Sequence, residues 1–244
     1  MKTNAARSRI VAFSGGKDST ALVLRMAELG EDFSCLFTPT GNELPELSCH
    51  IEAVIERIQR PLILPPNRSL DEWIQFHNAL PNFRMRWCTR QIKILPCLAY
   101  LKEHPGSVLC VGLRADEEER QGLYGEYATY RYPLREWGWG IKEVGSYLRS
   151  QRQSVPIRTD CTLCYDQRLD EWFTLWRDYP DEWAKGEAYE TQTGHTFRSD
   201  QRDTWPAGLQ ELGRKFAAGY RPRGTDDQIG LWADDRKKCR VCEL

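Results

Sequence analysis

Ile10–Leu24, IVAFSGGKDSTALVL, is the stretch whose reading decides the fold. Ile10-Val11-Ala12-Phe13 is a short apolar, partly β-branched run, which predicts a buried strand. Ser14 to Ser19 form a small glycine-containing turn with one cation, Lys17. Thr20 onward has apolar residues at 22, 23, 26 and 29 before Gly30, which predicts a helix with a glycine stop. A strand running through such a turn into a helix builds an anion site. The first N–H groups of a helix have no partner within it, and the helix dipole favours negative charge there. Glycines let a phosphate come close to the backbone. Lys17 adds a mobile charge, Ser14 and Ser19 add hydroxyls, and Asp18 or Ser19 is placed to cap the helix.

The spacing differs from the common nucleotide loops. Gly, four residues, then Gly-Lys-Ser/Thr is absent, and so is G-x-G-x-x-G. Ser-Gly-Gly-Lys-Asp-Ser instead resembles the pyrophosphate loop of the adenine-nucleotide α-hydrolase superfamily. That resemblance implies ATP and Mg²⁺ as ligands and cleavage between the α and β phosphates. It also implies phosphate-binding roles for Ser14, Gly15, Gly16, Lys17 and Ser19, with Lys17 and Asp18 in the chemistry.

Strand and helix alternate through the first half. Strands are expected at Phe33–Phe37, Leu62–Leu64 and Val108–Leu113, and helices at about 44–60, from Ser69, and over Thr89–Glu103 with an interruption near Pro96. Ser69-x-x-Glu72 reads as a capping box. This order predicts a doubly wound, mostly parallel α/β sheet, Rossmann-like, with ligands at the carboxyl ends of its strands. The expected domains are a nucleotide-binding unit over 1–158 and a mainly helical, cysteine-bearing extension over 159–244.

Three later segments fall where strand-end loops should converge. TPTGNELPE (38–46) offers Thr40 as a ribose or adenine contact. Arg84–Lys93 gathers four cations, with Arg86 and Lys93 as anion contacts. Gly112–Arg120 offers Gly112, Arg114 and Arg120 near phosphate, with Asp116 or Glu117 orienting the arginines or holding Mg²⁺.

In series, SGGKDS, T-x-x-G-x-E-x-P-E, W-C-T-R-x-x-K, G-L-R-A-D-E-x-x-R and Tyr132-Pro133-Leu134 before Trp137 resemble the phosphoadenosine phosphosulfate (PAPS) reductase family, from Ile10 to Trp176. Arg114 joins Lys17 and Asp18 as an expected catalytic residue on this resemblance. Reductases of that family have a degraded loop and a C-terminal Glu-Cys-Gly-Leu/Ile-His segment. This chain keeps the loop intact and ends Cys239-Arg240-Val241-Cys242-Glu243-Leu244. The resemblance therefore favours an ATP-using relative that activates a substrate for sulfur transfer. A sulfite-forming reductase and a non-catalytic nucleotide-sensing module are the competing readings.

Cys161-Thr162-Leu163-Cys164 and Cys239-Arg240-Val241-Cys242 are two C-x-x-C pairs, 74 residues apart. Four thiolates suit zinc or a [4Fe–4S] cluster, provided the tail folds back. Paired redox thiols are the alternative. Cys88, between Arg86 and Arg90, is expected to have a lowered pKa as a sulfur-accepting thiol or further ligand. Cys35, Cys97 and Cys110 lie in apolar runs and read as core.

The 244 residues carry 41% hydrophobic and 28% charged side chains with net charge −1, so bulk charge does not demand nucleic acid. Arginine, 25 of 34 basic residues, does favour bidentate phosphate contacts. No apolar run approaches the ~20 residues of a membrane span. The basic start, Met1–Arg9, has no apolar region behind it, so a cytoplasmic setting is expected. A sulfur-donor protein and a nucleic-acid acceptor are the expected partners, with homodimerisation open. The stripe Leu169, Trp172, Phe173 and Trp176 reads as core, and Thr191–Arg223 as a basic loop or docking arm. The four histidines show no ligand spacing.

Overall fold

The computed structural model describes residues 8–117 and 129–223. Five strands form one sheet: β1 (Arg9–Ala12), β2 (Ser34–Leu36), β3 (Leu62–Ile63), β4 (Val108–Cys110) and β5 (Thr129–Arg131). Their spatial order is β3-β2-β1-β4-β5, and every neighbouring pair is parallel. The chain leaves the central strand toward one edge, then returns to fill the other. β1 and β4 therefore flank the point where winding reverses, which is where open α/β sheets bind ligands. The sheet holds one strand more than the sequence pattern indicates. β5, Thr-Tyr-Arg, lacks the apolar run that marks its neighbours because it lies at the edge.

Alternate residues serve opposite faces. Val11, Cys35 and Cys110 pack with α1 (Lys17–Glu28), α2 (Pro45–Ile58) and, further along, Val144 and Leu148 of α6 (Ile141–Ser150). Ile10, Leu36 and Leu109 pack with Cys97 and Leu101 of α4 (Leu95–Glu103). Helices thus cover both faces, as the continuous apolar strands require. Cys35, Cys97 and Cys110 are buried core residues.

Helix α1 begins at Lys17, three residues before the apolar period starts. Lys17, Asp18 and Ser19 consequently form its first turn, and Gly16, rather than Asp18 or Ser19, is the N-cap. The interruption at Pro96 takes the form of a π-helical turn, Thr89–Ile94, running directly into α4. Pro96 has no N–H for the Ile92 carbonyl, and the side-chain amide of Asn67 donates to that carbonyl at 3.1 Å. Helix α3 (Leu70–His77) opens on the Ser69–Glu72 capping box.

The remaining helices are α5 (Pro133–Glu136), α7 (Leu169–Asp178), α8 (Pro180–Thr193) and α9 (Leu209–Ala217). Pro180 starts α8, as proline can at a first helical position. Gly186 lies within α8. A Cβ there would lie 2.8 Å from Leu209 Cδ1 and 2.9 Å from Leu163 Cδ2, so the glycine permits close packing. The expected loop over 191–223 contains α9, and Arg198 within it is 1% exposed, its Nη2 donating to both carboxylate oxygens of Asp203 at 2.9 Å. Trp172 and Phe173 are buried, in a cluster that also takes Leu70, Ile74, Leu80 and Ile92. Sequence-distant halves of the chain therefore share one core. Among the described residues, no helix is long and apolar enough to cross a membrane.

Candidate nucleotide and thiol site

Between β1 and α1 the backbone turns through Gly15 at φ 73°, a conformation that glycine adopts without a Cβ penalty. A Cβ on Gly15 would lie 2.5 Å from Leu47 Cδ1, so the turn is seated on α2. Ser14 Oγ accepts from Gly16 N at 3.4 Å and meets Ser19 Oγ at 3.2 Å, while Ser19 Oγ donates to the Gly16 carbonyl at 3.1 Å. Thr20 Oγ1 donates to the Gly15 carbonyl at 3.4 Å. These bonds hold the loop from below. The N-cap residue, Gly16, has no side chain with which to cap α1, and an uncapped helix N-terminus is the kind of end that suits an anion.

His50, absent from the sequence-level candidates, stands beneath this loop. Its Nε2 is 3.0 Å from Thr20 Oγ1 in a buried contact. Burial pushes its pKa down to about 4, against the opposing pull of the Gly15 carbonyl, so it is a neutral prop. Its only sequence signal was a polar residue on the apolar stripe of α2.

Gly112, after β4, lies against the same helix end. A Cβ there would be 3.3 Å from Ser19 N, so the glycine allows the two loops to touch. Arg114, 5% exposed, is enclosed by carboxylates. Its Nη1 donates to Asp18 Oδ2 at 2.7 Å, its Nε to Asp116 Oδ1 at 2.9 Å, and Nη2 lies 3.6 Å from Glu117 Oε1. The structure thus places Arg114 as the organiser of Asp18 within a protein ion network. Asp116 Oδ2 also accepts from Ile141 N at 3.1 Å, tying the network to α6. Among the described residues, Asp18 Oδ1 is buried without a hydrogen-bond partner. Burial raises the Asp18 pKa, opposed by Arg114 and Lys17. Arg120 lies outside the described residues.

Thr40 is buried and fixes its own loop. Its N–H and hydroxyl both donate to Glu43 Oε1, at 2.6 and 2.7 Å. Asn42 carries that loop to the second C-x-x-C-bearing half. Its carbonyl accepts from Thr162 N at 2.7 Å, and its Oδ1 accepts from Lys185 Nζ at 2.8 Å. Thr162 lies between Cys161 and Cys164, so the strand-end loop is bonded directly to the thiol turn. Thr159 adds its hydroxyl 3.5 Å from where a Gly16 Cβ would be. Thr159, Asn42 and Glu43 matter here through tertiary contacts that their sequence positions do not advertise.

Cys161 and Cys164 are thiols, not a disulfide. Cys161 accepts the Cys164 hydrogen bond, which lowers its pKa and raises that of Cys164. Arg158 Nη2 donates to the Cys161 carbonyl at 3.0 Å. Cys88 feels the charge of Cys161, and Lys93 acts on both sulfurs. Arg86 acts on Tyr165, which neighbours Cys88 and Cys164 electrostatically. Arg86 and Lys93 therefore gather at the thiols. The expected lowering of Cys88 does not occur: burial pushes it up to about 11, and Cys161 adds to the rise. Flanking arginines in sequence did not supply the compensating field. Among the described residues, no group of three or more His, Cys, Asp or Glu side chains is arranged to hold a metal. Cys239 and Cys242 lie outside the described residues.

The chain is similar to several known proteins. Residues 8–128 match the family model of the phosphoadenosine phosphosulfate reductase domain. An uncharacterized protein of Methanocaldococcus jannaschii is 24% identical over 134 residues, 52% of this chain and 32% of the relative. This chain thus spans about a third of that relative's length. A phosphoadenylyl-sulfate reductase of Candida auris, in a phosphate complex, superposes with TM-score 0.50 at 16% identity, over 63% of this chain and 75% of the reductase. The U34-tRNA thiolase NcsA of Methanococcus maripaludis, with its [4Fe–4S] cluster, gives TM-score 0.49 at 14% identity over 98% and 80% of the two chains. Four of the five parallel strands and the glycine turn at the sheet's reversal point fall within the matched residues: residues 8–128 of this chain are a domain of the PAPS reductase family.

Proposed function

We propose that this chain cleaves ATP to AMP and pyrophosphate and uses the adenylyl group to activate an acceptor for sulfur transfer. The observation that carries the reading is the α1 N-terminus, seated on glycines at the sheet's reversal point without a side-chain cap. A pyrophosphate would sit at that end, and this chain's intact Ser14–Ser19 loop supplies the residues. Ser14, Gly15, Gly16 and Ser19 bind the outer phosphates through backbone and hydroxyl donors. Lys17 stabilises charge developing at the α-phosphate. An acceptor oxygen forms a bond to that phosphorus as the bond to the β-phosphate oxygen breaks, and pyrophosphate leaves. The acceptor–oxygen bond to AMP then breaks as a sulfur nucleophile takes its place.

Asp18 supports the Mg²⁺ that accompanies ATP. Among the described residues its buried Oδ1 has no hydrogen-bond partner, and its other oxygen is held by Arg114, so Asp18 would be the carboxylate that holds the ion. Mg²⁺ supplies neutralisation of the leaving pyrophosphate. Cys161 and Cys164 fit a sulfur-handling role. Cys161, whose pKa is lowered by the Cys164 hydrogen bond, would be the attacking thiol of the pair, and the two would be ligands of zinc or a [4Fe–4S] cluster together with Cys239 and Cys242.

Lys17→Ala tests the reading. Pyrophosphate release should fall by about 100- to 1,000-fold, the usual effect of deleting one charge-stabilising donor. A normal rate in that variant refutes the assignment. Anaerobic purification with metal analysis then tests the thiols: Cys164→Ala should lose bound zinc or iron that the parent carries.

A further inference from the structure

One surface carries an arrangement that ATP cleavage does not use. Helix α3 and the segment 81–90 present exposed rings beside guanidinium groups. Phe76 is 66% exposed, Phe83 61% and Met85 53%. Arg68 lies over the Trp73 ring at 5.3 Å and the Phe76 ring at 5.4 Å. Trp73 stacks on His77 with centroids 5.3 Å apart and planes 16° apart, and His77 meets Trp87 at 4.9 Å. Arg84 lies 5.2 Å over Phe83. The rings therefore run from Phe76 through Trp73 and His77 to Trp87, which precedes Cys88. Trp73, Trp87, Cys88 and Cys161 all pack on one apolar cluster, so the ring-bearing face and the thiols stand on a common support.

The charge on this face is one-sided. Residues 64–95 hold five Arg and Lys against two Asp and Glu. Both acids are engaged: Glu72 caps α3 through Ser69, and Asp71 lies 3.6 Å from Lys185 Nζ. Water-exposed rings alternating with cations match a strand of bases and phosphates. Rings stack on any base, and arginines grip phosphate oxygens bidentately. A second copy of the chain is a poorer fit, because a two-fold contact would set these cations against one another. Duplex is poorer too, since its bases are already stacked.

We propose that this face docks an unpaired stretch of nucleic acid and leads it past Cys88 to Cys161 and Cys164. The proposal rests on the reading of the chain as an activating enzyme, and it names the acceptor class.

Its test needs no ATP. Fluorescence anisotropy of a labelled single-stranded oligonucleotide of about twelve nucleotides measures binding to the full chain. Phe76→Ala and Phe83→Ala should each weaken it about tenfold. Arg68→Gln should flatten the slope of log affinity against log salt by about 0.7, the share of one phosphate contact. Phe76→Leu, which keeps an apolar side chain, should weaken binding like Phe76→Ala, showing that the ring matters. Binding by the parent that is unchanged in all these variants, or no binding by the parent, overturns the proposal. So does a dimer that disperses in Phe76→Ala Phe83→Ala without oligonucleotide affinity. Lys17→Ala should bind the strand like the parent. Loss of pyrophosphate chemistry from the reading and loss of docking from this face are thus separately visible.

Discussion

At the loop 14–16 the chain leaves a helix end without a side-chain cap and lines it with glycine. At 161–164 it encloses two thiols and hydrogen-bonds one to the other. The first region handles charge through backbone dipoles, which are always present and need only the right turn. The second handles charge through side chains whose protonation depends on every neighbour. The contrast teaches that one site is fixed by local geometry and the other by burial. Cys88 illustrates the second: charged sequence neighbours suggested a reactive thiolate, and burial raised its pKa to about 11. Asn42 joins the regions, with Thr162 on one side and the Thr40 turn on the other.

The contrast breaks hardest at Arg114. Arg114→Met strands Asp18 and Glu117 in the interior, and denaturant unfolding should show a loss of about 3–5 kcal/mol. A loss below 1 kcal/mol would mean the network is not holding the cradle. Gly15→Ala sharpens the local side. Its left-handed backbone and the contact with Leu47 should cost about 2 kcal/mol, read from the same unfolding curves. Asn42→Ala attacks the joint. It should cost about 1 kcal/mol, yet reduce sulfur-transfer product per pyrophosphate released, measured by mass spectrometry of the acceptor. An unchanged ratio would show that the two regions work independently.

A further effect lies in pH. Glu190 accepts from Phe197 N at 2.9 Å and Leu209 N at 2.7 Å, but burial raises its pKa to about 7 despite those amides. The folded protein therefore holds a proton that the unfolded chain releases near pH 4.5. Stability should decline as pH rises from about 4.5 to about 7 and level off above. Glu190→Gln should flatten that window in urea titrations, whatever its own constant cost.

Much of the nucleotide half was legible in advance. Ile10–Phe13, the serine–glycine turn and the apolar period from Leu22 give strand, turn and helix directly, because each depends on residues close in sequence. The helix start was misplaced by three residues, since polar Lys17, Asp18 and Ser19 carry no period. β5 and α9 were missed because an edge strand and a helix amid turn formers show weak patterns. His50 looked idle and proved to prop the loop, a role visible only once α2 lies beneath Gly15.

By itself the sequence determined the parallel α/β sheet and the glycine turn that leads from β1 into α1, because apolar periodicity and glycine position act within a few residues. Tertiary structure alone decided that Arg114 serves Asp18, that Lys93 attends thiols, and that α3 turns its rings outward. Those outcomes follow from electrostatics and burial between distant segments, which no run of neighbouring residues encodes.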